Sequence, residues 1–181
     1  MPAWFETLSS RVLLSTPLLT VREDELEGPA GEVLKRTVIE QHDAVGILPL
    51  FDDGTVVLVR QYRHAQGASL LEIPAGKLDV DGEGVEEAAA RELAEEVGLA
   101  ATSFERLVTF ANSVGTATER THLLLGSGLT TVPPPPGFEP KAEEAHMEVV
   151  RLPLGEAIAA VGDGTIIDAK TVIALLLADR R

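Results

Sequence analysis

From position 91 to position 99 the chain reads Arg91-Glu92-Leu93-Ala94-Glu95-Glu96-Val97-Gly98-Leu99, a run whose chemistry depends on how it is wound. In a helix, at about 100° per residue, Glu92 and Glu96 fall one turn apart on one side, Glu95 lies one step round, and Arg91 stands four residues before Glu95. Like charges at this spacing cost an isolated helix about 0.2–0.5 kcal/mol per pair, and a divalent cation is the natural compensation. Ligands that are all oxygen, on a helix beside a loop, suit Mg²⁺, with Mn²⁺ as the alternative. Both are hard ions that keep waters and bridge substrate phosphates. Considered alone, such a run in a chain with 29 acidic residues is most often a solvated face, so the flanking sequence has to decide.

The elements that must hold this helix can be read from pattern. Val85, Ala89, Leu93 and Val97 recur every four residues and predict a buried stripe on a helix over Val85–Val97, stopped by Gly98. Upstream, Ala44–Phe51 and Thr55–Tyr62 flank Asp52-Asp53-Gly54, a pattern that predicts an antiparallel hairpin. Leu70–Ile73 reads as a short strand stopped by Pro74, followed by a Gly-rich acidic loop through Gly84. Residues 1–40 carry short apolar stretches at Arg11–Ser15, Leu18–Arg22 and Val33–Glu40, broken by Pro17, Gly28-Pro29 and Gly31, and predict an N-terminal sheet segment. Past the helix, strands are expected at Phe104–Phe110, Thr121–Leu125 and Glu148–Leu152. Thr131–Pro140 is a proline-rich connector, and two helices close the chain at Leu154–Val161 and Ala169–Asp179, the second capped by Asp168. The sum is a mixed α+β protein.

Composition narrows the chemistry. With 181 residues, one domain with a small appendage is expected. The absence of cysteine removes disulfides, thiol nucleophiles and Cys-type metal sites. A net charge of −14 repels nucleic acid and anionic membranes, and five Phe with Trp4 and Tyr62 are too few to suggest base-stacking platforms. The first residues lack a signal-peptide pattern, and the apolar run Val172–Ala178 is too short to span a bilayer, so a cytoplasmic protein with neither nucleic-acid nor membrane partners is expected. The four histidines, His42, His64, His122 and His146, form no metal-binding pair. An EF-hand counted from Asp79 fails because its twelfth position is Ala90.

The stretch Gly76-Lys77-Leu78-Asp79-Val80-Asp81-Gly82-Glu83, followed after seven residues by Arg91 to Leu99, resembles the signature box of the Nudix hydrolases. Six residues separate Gly76 from Glu83 where the family pattern has five; from Glu83 onward the spacing matches. Gln61-Tyr62-Arg63 and Leu71-Glu72-Ile73-Pro74-Ala75-Gly76 look like the ADP-ribose pyrophosphatase branch, which also carries an extra N-terminal segment used in dimerisation. The resemblance implies a Nudix-type α/β/α sandwich with a mixed sheet plus an N-terminal antiparallel β segment. It implies a division into residues 1–40, for dimerisation, and a catalytic domain over 41–181, with a homodimer as the assembly.

By the same resemblance the metal is held by Ala75, through its carbonyl, with Glu92, Glu95 and Glu96, while Arg91 orients a box carboxylate. Arg63 contacts phosphate, and Glu72 and Glu119 bind substrate, the latter in the loop Asn112–Glu119, where the branch carries Pro at the position of Val114. The general base is expected outside the box, at Glu144 or else Glu143, and Glu95 within the box is the further catalytic candidate. The implied reaction is hydrolysis of the diphosphate in a nucleoside diphosphate-linked small molecule, ADP-ribose giving AMP and ribose 5-phosphate. Other nucleoside diphosphate sugars, dinucleotides or nucleoside triphosphates are alternative substrates, and a non-catalytic nucleotide-sensing module is the alternative from another class.

Overall fold

High charge and short apolar stretches in the first forty residues give an antiparallel meander of three strands, β1 (Glu6–Ser15), β2 (Thr20–Glu27) and β3 (Val33–Glu40), in the order β1-β2-β3. The structure, a computed structural model, describes residues 4–140 and 145–180. They divide into two units, one made of residues up to Asp43 with Phe110–Arg120, the other of Ala44–Thr109 with the rest of the chain from Thr121. In the first unit every residue of β1 is exposed. The 110–120 segment adds to β3 there: Ile39 N–H donates to Thr116 at 2.7 Å, and Thr118 N–H donates to Ile39 at 3.0 Å.

The second unit is built on two strands whose apolar runs are covered on both faces, β4 (Ala44–Pro49) and β5 (Thr55–Arg63). Val45, Ile47, Leu48 and Val56 to Val59 are at most 1 % exposed. The turn between them forms as expected, with Phe51 N–H donating to Thr55 at 2.8 Å, but the expected hairpin does not. Only an isolated bridge, Leu50 to Val56, joins the two strands. β4 lies in a four-stranded sheet of order β7-β4-β10-β9, formed with β7 (Ala75–Lys77), β9 (Ser103–Ala111) and β10 (Arg120–Ser127), and pairs in parallel with β10. β5 lies between β6 (Ala68–Glu72) and β12 (Glu148–Pro153) in another sheet. The physical reason is in the residues: near-continuous apolar runs need partners on both edges and cover on both faces, which a two-stranded ribbon cannot supply.

The helix α1 (Val85–Val97) has the expected bounds. At 13 residues it is too short to be stable alone, and packing holds it: Ala88, Ala89 and Leu93 join Val45, Ile47, Leu99 and Leu124 in one buried cluster, with Val85 and Val97 half-buried against it. Glu86 and Glu87 in its first turn suit the helix dipole. The remaining elements are the two-residue strands β8 (Leu99–Ala100) and β11 (Thr130–Thr131), paired with each other, and the helices α2 (Leu154–Gly162) and α3 (Ala169–Ala178). α3 packs on β4 and β6, and α2 on β5 and β12, which completes the mixed α/β/α arrangement. The proline connector lies outside every strand after Thr131. β7 falls where a Gly-rich loop is expected, because three residues after Pro74 are too few to show a period; their pairing with Ala44–Gly46 makes them a strand.

Candidate active site

β7 brings Ala75 and Gly76 under the carboxylate side of α1. At Gly76 a Cβ atom would stand 1.8 Å from Glu92 Oε1, so only glycine lets the Glu92 carboxylate lie against this strand. Next to it, Glu96 accepts the N–H of Ala75 at 3.0 Å. Glu92 is buried and Glu96 half-buried, which corrects the expectation that this edge of the helix faces solvent: β7 covers it. Burial raises the Glu96 carboxyl to about 8, with the charge of Glu92 adding to the effect and the Ala75 N–H opposing it. Of the two, Glu92 is held by Arg91 at 2.7 Å, while the bond that Glu96 accepts here comes from the backbone.

Arg91 gathers the other box carboxylates. It forks onto Glu83 at 2.8 and 2.9 Å and reaches Glu92 at 2.7 Å and Glu95 at 3.1 Å. The bond to Glu83 leads in raising the arginine well above its ordinary value and in holding Glu83 below the usual carboxylate range. The residue by which this box exceeds the family spacing does not disturb that pair. Before Glu83 the chain runs through the exposed stretch Asp79–Gly82, where Glu83 N–H donates to Val80 at 3.1 Å and Gly82 adopts φ +81°.

Among the described residues, no group of three or more His, Asp or Glu side chains encloses a metal by itself. The donor set nevertheless fits one: hard oxygens only, a Glu96 carboxyl raised by burial and by the charge of Glu92, and a strand turn shaped around a carboxylate. Such a site matches Mg²⁺-type ions, which keep waters and share substrate phosphates instead of occupying a closed protein cage.

Arg63 and Glu72, expected at the substrate, are bonded to each other. Arg63 donates through Nε and Nη2 to both oxygens of Glu72 at 2.7 Å. Glu72 is 2 % exposed. Its burial alone would raise it, but the Arg63 bonds and Lys170 outweigh burial and hold it below the usual range. Lys170, in the first turn of α3, bonds the same Glu72 and lies 3.0 Å from Asp168. The sequence pattern does not single out Lys170, and it marks Asp168 only as a cap. The cap itself is present, Asp168 accepting the Thr171 N–H at 3.0 Å. The available signal is a lysine in a helix's first turn, where the dipole disfavours a cation. Glu119 belongs to the first unit and accepts from Asn112 Nδ2 at 2.8 Å, in a loop whose Val114 is 90 % exposed. Glu143 and Glu144 lie outside the described residues.

Comparison with known proteins agrees with this geometry. The family described as the NUDIX domain matches residues 40–173. An ADP-ribose pyrophosphatase of Mycobacterium tuberculosis is 38 % identical over 172 residues, 95 % of this chain and 82 % of that protein. A methanol dehydrogenase activator of Bacillus methanolicus is 34 % identical over 170 residues, covering 94 % of this chain and 90 % of its own. A solved structure described as an ADP compounds hydrolase superposes with a TM-score of 0.81 at 26 % identity, over 98 % of this chain and 94 % of that one.

Proposed function

The chain belongs to the NUDIX domain family and is a pyrophosphohydrolase of it, and from that premise we propose that it hydrolyses ADP-ribose to AMP and ribose 5-phosphate with Mg²⁺. The observation that carries this reading is the Glu92–Glu96 pair folded onto the Ala75–Gly76 strand, with the Glu96 carboxyl raised by burial and by the charge of Glu92. The substrate is supported by similarity to an ADP-ribose pyrophosphatase across 95 % of the chain.

In this reading the carbonyl of Ala75 with Glu92, Glu95 and Glu96 would hold the cation, Mn²⁺ substituting for Mg²⁺. A divalent cation bound there neutralises diphosphate charge and makes a water more acidic. Arg91 keeps the box carboxylates in place through its bonds to Glu83, Glu92 and Glu95. Arg63 would meet a phosphate beside Glu72, and Glu119 is proposed as a substrate residue on the family resemblance alone. Glu144 or else Glu143 takes the proton of the attacking water, and Glu95 is the further catalytic candidate. The water oxygen bonds to one phosphorus, the bridging P–O bond breaks, and the departing fragment leaves as a phosphate ester.

The division into residues 1–40 and 41–181, and a homodimer formed through the first of these, belong to the same proposal. Leu8, Val12, Leu13 and Leu14 on β1 are large apolar side chains left exposed, which supports an interface there. No described helix is long and apolar enough to cross a membrane, and a cytoplasmic enzyme is proposed with no nucleic-acid or membrane partner. Deleting residues 1–40 is expected to give a monomer or insoluble protein on size-exclusion chromatography; a well-behaved dimer after truncation refutes the interface.

The functional test is chromatography of products from ADP-ribose with Mg²⁺, beside GDP-mannose, ADP-glucose, NADH and nucleoside triphosphates. AMP formed in equal amount to ADP-ribose consumed, and abolished by a chelator, is the expected result. Faster turnover of another substrate moves the specificity while keeping the chemistry, and no turnover of any of them overturns the reading.

A further inference from the structure

The first turn of α3 grips the strand that leads into the site. Lys170 bonds Glu72, the last residue of β6, and Thr171 Oγ1 accepts the N–H of the next residue, Ile73, at 2.8 Å. Thr171 is fully buried, and its hydroxyl donates a hydrogen bond to Asp168 Oδ2 at 2.5 Å. Two residues after Ile73, Ala75 N–H holds Glu96. Residues 98 positions apart in sequence therefore set where β6 ends and β7 begins.

The plainer account of Lys170 is a surface lysine lying along a helix. Its side chain is only 15 % exposed, and a lysine so covered needs partners. Glu72 has a sufficient partner in Arg63, which binds both its oxygens, so a second cation is more than neutralisation of one buried carboxylate requires. Arg63, Gln66, Glu72, Asp168 and Lys170 line one cavity of about 440 Å³. With Lys170 in place, two cations balance two carboxylates on that wall; without it, the wall carries one negative charge.

We propose that Lys170 is a positioning residue of the diphosphate site: by sharing Glu72 it keeps the Arg63 guanidinium held at one edge, through Nε and Nη2, on a wall that does not repel the substrate's phosphate. This rests on the hydrolase reading above. Lys170 acts through Glu72 and Arg63 and does not touch the substrate. Its field also reaches Glu96, which it pulls toward the charged form together with Arg63.

The experiment is steady-state kinetics on ADP-ribose with Mg²⁺ for Lys170→Met and Lys170→Arg, each alone and with Glu72→Gln, with folding followed by circular dichroism. Lys170→Met is expected to raise KM about tenfold while kcat stays within about threefold, because a repelled phosphate weakens substrate and transition-state binding alike. Lys170→Arg restores KM to within about threefold of wild type, as a purely space-filling role would not require. In the Glu72→Gln background, where Lys170 has no shared carboxylate through which to hold Arg63 and only its charge on the wall is lost, Lys170→Met is expected to raise KM by less than about threefold. If Lys170→Met alone does not fold, that background decides the matter. An unchanged KM in folded Lys170→Met overturns the proposal, and so does a rise in KM that persists in the Glu72→Gln background, which would place Lys170 on the substrate itself. An inactive wild type would instead overturn the hydrolase reading, and this proposal with it.

Discussion

Glu72 and Glu96 stand on either side of the same short strand turn, and burial pushes both carboxyls upward, yet they shift in opposite directions. Glu72, 2 % exposed, is held below the usual carboxylate range, whereas half-buried Glu96 is raised to about 8. Burial acts the same way on both, so the partners set the direction. Glu72 receives two cations, Arg63 and Lys170, which outweigh the cost of burying it. Glu96 receives one backbone N–H and the repulsion of Glu92, and the pull of Lys170 and Arg63 does not offset its burial. One carboxylate is satisfied by the protein, and the other is left for a cation that the protein does not itself provide.

The strongest way to break this contrast is Glu96→Gln. Loss of a carboxylate from the cation site is expected to lower kcat about a thousandfold, while circular dichroism reports an intact fold; a nearly normal rate would remove Glu96 from the cation site. A smaller effect is expected from Gly76→Ala. The new Cβ would occupy the place of the Glu92 carboxylate, and because that carboxylate can swing aside, thermal stability should change little. Its displacement by about an ångström should cost about a hundredfold in kcat. Unchanged kinetics in this variant would show that Glu92 need not lie against β7.

The smallest effects are those of pH on stability, and they have opposite signs at the two sites. Glu72 is depressed when folded, so its contribution is present above the unfolded carboxylate value near 4.5 and is lost as pH falls through its lower folded value. Glu96 is raised, so in chelated protein its contribution is present below about 4.5 and is lost as pH rises toward about 8. Melting temperatures of the chelated protein should therefore fall on both sides of an intermediate optimum. Glu72→Gln should flatten the acid limb and Glu96→Gln the alkaline one. Added Mg²⁺ should raise the melting temperature more at pH 8 than at pH 5, and an equal gain at both would contradict the contrast.

The half of this comparison that lies on α1 is legible in the sequence, because an i,i+4 pattern with a glycine stop is local information: Val85, Val97 and the facing of Glu92 with Glu96 follow from 3.6 residues per turn. The other half is not. Arg63 and Glu72 carry a family resemblance as separate residues, but nothing in a run of letters states that they bind each other, or that Lys170 joins them from 98 positions away. The hairpin expected of β4 and β5 does not form for a related reason. Asp52-Asp53-Gly54 does turn the chain, yet β4 pairs with β7 and the distant β10, while β5 pairs with the adjacent β6 and the distant β12. The carboxylate edge of α1 reads as solvent-facing because β7, the strand that covers it, is three residues long and has no readable period.

The sequence by itself determined the helix, its three carboxylates and arginine, the turn after β4, the N-terminal meander and the exclusion of thiol chemistry, since each is a matter of residue type and short-range spacing. Only the tertiary structure decided which carboxylates are neutralised and which are not. That depends on the burial of Glu72 and Glu96 and on where Arg63, Lys170 and Ala75 N–H come to rest, and charge compensation is a property of distances through space, which the order of residues along the chain does not contain.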